Sequence, residues 1–175
     1  PWPELGQDVN AALYPLDRIE QEDPDAAIIL GISLNSPDAW LDAHPDAIAT
    51  NAEGAKRYAS IASKVWLDTC KGALSNLISQ IENSGRGARV TGFLLGEGIT
   101  FETAEIPPRP DTNDQSKVFF AYPSEQDQID YLRFVSESTA DFISNLAGHV
   151  HHTAQNYLKL YVPYGHTFEL TSNAS

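Results

Sequence analysis

The residues of this chain best suited to chemistry gather in three short clusters, each following an apolar run. Asn35-Ser36-Pro37-Asp38-Ala39-Trp40 follows the first run, Gly96-Glu97-Gly98-Ile99-Thr100-Phe101-Glu102 the second, and Tyr164-Gly165-His166-Thr167-Phe168-Glu169 the third. Each cluster offers an aromatic ring, and the second and third end in a glutamate. Aromatic faces stack on sugar rings, while carboxylates protonate or attack at a glycosidic bond, so the mixture suits a carbohydrate site.

Competing chemistries have weaker signatures. Gly96-Glu97-Gly98 looks like part of a phosphate cradle, but the chain contains neither GxGxxG nor GxxxxGK[ST], which argues against nucleotide binding. His149, His151 and His152 form a tract of metal-ligand type. On a helix His149 and His152 share a face and His151 points elsewhere, so the preferred reading is cations near a helix C-terminus. No metal and no cofactor is expected. Ser60 and Ser63 flank a helix start, where serine serves as a cap, and there is no Gly-x-Ser-x-Gly elbow to present a nucleophile.

The elements that must position these clusters follow from apolar patterning. The stretch up to about residue 22 mixes Pro, Asp, Glu and Gln around Ala12, Leu13, Tyr14 and Leu16, and reads as a loop with a helical turn. Ala26 to Leu34 is a continuous apolar run, as in a parallel strand buried on both faces. Asn35 to Asn51, broken by Pro37 and Pro45, reads as a long loop. Val65, Trp66, Cys70, Leu74, Leu77, Ile78 and Ile81 recur at steps of three and four, predicting an amphipathic helix within 60–82 that ends at Asn83-Ser84-Gly85.

Arg89 to Gly96 reads as a second buried strand, and Glu97 to Ser116 as a long connection of the kind that is usually functional or disordered. A helix over roughly 125–155 places Ile129, Leu132, Val135, Phe142, Ile143, Leu146 and Val150 on one face. Tyr157 to Pro163 is the last strand. Strand, helix, strand, helix, strand is the alternation of an α/β fold, so strands at 27–34, 90–95 and 157–162 are expected to be parallel and adjacent. Sites in such folds gather at the carboxyl ends of the strands, where all three clusters fall.

Composition narrows the partners. Eleven Lys and Arg stand against 24 Asp and Glu in 175 residues, a formal net charge of −13. Nucleic-acid affinity comes mainly from Lys and Arg displacing counterions, so no nucleic acid and no anionic membrane is expected. No apolar run approaches the roughly 20 residues of a membrane-spanning helix, and Pro1-Trp2-Pro3-Glu4 lacks a signal-peptide layout. Cys70 stands alone, which excludes an internal disulfide and a cysteine metal cage and leaves the compartment open. The chain lacks methionine altogether, so it reads as a processed, excised or interior portion.

The series "IILGISLNSPDAWLDAHPDA", "ASIASKVWLD", "VTGFLLGEGITFET" and "LYVPYGHTFELTSNAS" resembles the central barrel strands of glycoside hydrolase clan A, in particular the beta-galactosidase-like family 42 group. The resemblance spans most of residues 26–175 and rests on short motifs: an N-x-P-x-W-like loop followed by "HP", then a strand ending in a Gly-rich turn that carries Glu. It implies a partial (β/α) TIM-type barrel hydrolysing β-linked sugars with retention. Glu102 becomes the acid/base residue after the fourth barrel strand, and Asn35, Trp40 and Ser60 line the sugar pocket.

Phe101 stands where the family commonly has Asn before that Glu, and Glu169 matches a binding or structural position. The family's nucleophile follows its seventh strand, so the resemblance makes these residues the central portion of a larger barrel that typically needs about 250 residues. A sheet interrupted in this way invites association with the missing segment or self-association, against the charge of −13.

Two specific expectations follow for the site. Trp40 should be partly exposed at the same sheet edge as Glu102. The Glu102 pKa should be raised by apolar neighbours such as Phe101 and Phe93, since a general acid must hold its proton near neutral pH. The alternative reading is a carbohydrate-binding or interaction segment with no turnover, in which Glu102 is a solvated loop carboxylate.

Overall fold

The computed structural model describes residues 10–50, 57–85, 87–95, 125–155 and 157–162. Its elements are α1 (Asn10–Glu22), β1 (Ile28–Ile32), α2 (Asp38–Ala43), β2 (Ile48–Thr50), β3 (Arg57–Ala59), α3 (Lys64–Asn83), β4 (Val90–Leu95), α4 (Glu125–Thr153) and β5 (Lys159–Tyr161). The fold class is α/β. β1, β4 and β5 form a three-stranded sheet in the order β1-β4-β5, with both pairings parallel, as the alternation of elements predicts.

The helices form where their ends and faces agree. Ser63 caps α3, its Oγ accepting from the Trp66 N–H at 3.3 Å, and Gly85 at φ 75° turns the chain out of the helix just past Ser84. Trp66, Cys70, Leu74, Leu77, Ile78 and Ile81 of α3 are buried as the periodicity predicts, whereas Val65 is exposed. On α4, Phe142, Leu146 and Val150 are buried, and Ile129 is exposed. Tyr157, ahead of β5, donates its hydroxyl to Glu82 Oε1 at 2.9 Å, tying the end of α3 to the last strand. Burial and that carboxylate push the phenol up to about 12.

The sheet is covered on one side only among the described residues, which corrects the expectation that β1 is buried on both faces. Ile28 and Ile32 are buried, while Ile29, between them, is 49 % exposed. In register across the sheet, Leu30, Phe93 and Leu160 turn inward, and Gly31, Leu94 and Tyr161 turn outward. The cause is topological. The order β1-β4-β5 advances in one direction at each crossover, and two right-handed crossovers then place α3 and α4 on the same face. The two helices accordingly pack on each other, and α4 also packs on β5.

At the start of β4 the register shifts between Ile28 and Ile29, so that Ile28 pairs with Val90 and Ile29 with Gly92. Thr91, left between them, donates its hydroxyl to the Ile28 carbonyl at 3.1 Å. This irregularity lets Val90 join Phe93 and Leu95 in the core.

Gly92 is required by proximity. A Cβ there would strike the Lys159 carbonyl oxygen and lie 2.8 Å from Tyr161 Cε2, both on the neighbouring strand. Gly92→Ala is therefore expected to cost about 2–3 kcal/mol by forcing β4 and β5 apart. A urea midpoint unchanged from the parent protein would refute that close approach.

Two further expectations are corrected. Residues 10–22 form a 13-residue helix, not a loop with one turn, and Pro15 lies inside it. Burial of Leu16 in the core and an ion pair at 3.8 Å between Glu20 and Arg89 tie this helix to the entry of β4. The 35–51 stretch is not a plain loop: it carries α2, a single 3-10 turn at Pro45–Ala47 and β2. β2 pairs antiparallel with β3, closing a small second sheet.

Candidate functional site

Glu102 and Glu169, the two glutamates singled out from sequence, lie outside the described residues, as do 96–101 and 164–168. The site that can be built is the carboxyl-end region of β1, which carries Asn35, Ser36, Trp40, His44 and Ser60.

Asn35 is exposed just beyond β1, and its backbone N–H donates to Ser33 Oγ at 3.2 Å. Ser36 Oγ accepts from the Ala59 N–H at 2.9 Å, fastening this loop to β3. Ser60 is buried, with its N–H on the Ala47 carbonyl at 2.8 Å and its Oγ accepting from the Ala62 N–H at 3.1 Å. Its backbone and hydroxyl thus hold the β3 to α3 turn together. Ser60 has no accessible surface to offer a sugar.

Trp40 is the main correction. The expectation of a partly exposed ring is not met: Trp40 is 4 % exposed. Its indole N–H donates to Thr69 Oγ1 at 3.1 Å, and the Thr69 hydroxyl in turn donates to the Val65 carbonyl at 2.9 Å. The ring stacks on His44 with centroids 4.3 Å apart and meets Trp66 edge-on at 4.6 Å. α2 places Trp40 and Leu41 consecutively, and both are buried, so the short helix is pinned between β3 and α3 and cannot present its indole outward.

His44 ends α2. Its N–H reaches the Trp40 and Leu41 carbonyls, and its Nδ1 lies 2.9 Å from the Trp40 carbonyl oxygen. A carbonyl only accepts, so Nδ1 carries a proton. The carboxyl end of β1 therefore supplies exposed Asn35 and Asp38 and half-buried Ser36 and His44 as polar surface, beside an aromatic layer of Trp40 and Trp66.

A second group was missed in the sequence. Ser75 of α3 and His149 of α4 meet at 2.7 Å between Oγ and Nε2. The same Nε2 lies 3.0 Å from the Lys71 carbonyl oxygen, so Nε2 carries the proton and cannot draw one from Ser75. The pair is not a nucleophile with its base. The signal available was one-turn spacing: 71 and 75 on one helix, 145, 149 and 153 on the next. His151 and His152 fall in the last turn of α4, as the reading of cations near a helix C-terminus expects, and no group of three metal-ligating side chains occurs among the described residues.

Comparison of the chain with models of known protein families, with curated proteins and with solved structures finds no match.

Proposed function

We propose that this chain is the central portion of a β-glycoside hydrolase of clan A type, acting on β-linked sugars by retaining acid/base chemistry, with Glu102 as proton donor. The observation that supports it is the three-stranded parallel sheet whose connecting helices share one face, and Glu102 follows the central strand of that sheet in the sequence. In a (β/α) barrel every helix lies outside and the opposite sheet face turns inward, filled by branched side chains. Ile29 and Leu94, exposed on the open face, suit that role.

The chemistry needs two carboxyl groups about 5–5.5 Å apart: one gives its proton to the departing glycosidic oxygen, and the other attacks the anomeric carbon and is later released by water. Glu102 takes the first part, and Asn35 is an exposed residue at the β1 edge able to hydrogen-bond a sugar hydroxyl. Trp40 orders that edge from beneath and makes no sugar contact. The nucleophile comes from a strand that completes the barrel, so residues 1–175 alone are expected to show no enzymatic turnover.

The test is product stereochemistry. The chain together with the segment that closes the barrel is incubated with an aryl β-glycoside, and the first-formed anomer is read by NMR. The β-anomer is expected. First-formed α-anomer, or hydrolysis by residues 1–175 alone, would overturn the proposal.

A further inference from the structure

The seam between α3 and α4 carries a polar ladder with no part in the proposed site. Lys71 Nζ donates to Asn145 Oδ1 at 3.4 Å. One turn along, His149 Nε2 lies 2.7 Å from Ser75 Oγ, 3.0 Å from the Lys71 carbonyl oxygen and 3.5 Å from Thr153 Oγ1. Inside the ladder, Phe142, Leu146 and Val150 of α4 belong to the same buried cluster as Cys70, Leu74 and Leu77 of α3. The half-buried imidazole is thus a principal polar bond holding α4 on α3.

With Nε2 protonated, a second proton must enter at Nδ1 and charge the ring. The groups whose charge reaches the imidazole are Lys71, from α3, and His152, from α4. Both carry positive charge in acid. Asp68, the nearby carboxylate on α3, is engaged by Lys64 at 2.7 Å. A positive His149 therefore meets like charge from both helices.

We propose that the α3–α4 seam is a pH-operated latch: neutral His149 closes α4 onto α3, and a proton taken up at Nδ1 loosens the C-terminal half of α4. Burial, and to a lesser degree the two cations, hold this imidazole below its ordinary value of 6.5, against the bond to the Lys71 carbonyl, which favours the charged ring. The opened or unfolded chain takes up the proton first, so the closed state is fully favoured above about pH 6.5 and loses ground as pH falls from there toward the lowered value.

Cys70 reports the opening, because it is the chain's single cysteine, is fully buried, and belongs to that cluster. Its labelling by a neutral disulfide reagent is compared in the parent protein and in His149→Gln, whose side-chain amide can still donate to the Lys71 carbonyl but does not titrate. Taking the ratio of the two at each pH removes the reagent's own pH dependence.

Between about pH 7.5 and about pH 5.5 the parent-to-variant ratio is expected to rise, by up to about tenfold for each unit separating the closed and open pKa values. Lys71→Gln, which removes one of the two cations, should show a smaller rise than the parent. A constant ratio between parent and His149→Gln would overturn the latch. If His149→Gln does not fold, labelling of the parent is divided at each pH by that of a free cysteine peptide, and a ratio constant over the same range overturns the latch equally.

Discussion

Phe93→Ala is expected to lower unfolding free energy by about 3–5 kcal/mol, a large share of the roughly 5–15 kcal/mol that holds a domain of this kind together. Phe93 sits on the central strand with no exposed surface, between Leu30 and Leu160 in register, under the helical layer. Truncation leaves a cavity that backbone held on both edges cannot collapse to fill. Leu94, the next residue, points to the other face and is 39 % exposed, so Leu94→Ala should cost well under half as much. Urea denaturation of the two variants side by side decides the matter. Equal losses would mean that the two faces of the sheet are not differently covered.

On the proposed function, Glu102→Gln is expected to reduce hydrolysis about 10²–10⁴-fold on substrates with poor leaving groups. Glutamine keeps the shape and removes the proton, so the loss depends on how much help the departing oxygen needs. An aryl glycoside with a strongly acidic phenol leaves with little protonation, and for it the same substitution should cost much less in the first step. Measuring kcat/KM across a series of aryl β-glycosides separates the roles. A uniform loss across the series would take Glu102 out of the proton-donor position.

Much of the architecture was legible because it is written in local periodicity. Trp66, Cys70, Leu74, Leu77, Ile78 and Ile81 recur at helical steps between a serine cap and a glycine stop, and α3 forms there with those side chains buried. The apolar runs at 28–32 and 90–95 became parallel neighbours because α3 between them is long enough to cross over the sheet. These are short-range patterns with one geometric solution each.

What local pattern does not contain is the set of surfaces available to each element, and there the tertiary structure decided. Pro15 and the surrounding acids argue against a helix, yet residues 10–22 form one, because burial of Leu16 adds a long-range term that propensity omits. The run 26–34 is apolar enough for a strand covered on both faces. Which face is covered depends on the direction in which successive strands are added, and the order β1-β4-β5 puts both helices on one side.

Trp40 shows the same limit at the site. Its loop neighbours and its place after β1 suit a sugar platform, but Thr69, 29 positions along the chain, and Trp66 supply the hydrogen bond and the edge contact that draw it inside. The sequence by itself determined β1, α3, β4, α4 and β5 and the parallel pairing of the three strands among them. The packing of α2 against α3, and of α4 against α3, determined which polar and aromatic side chains remain at the surface, because burial is set by partners distant in sequence.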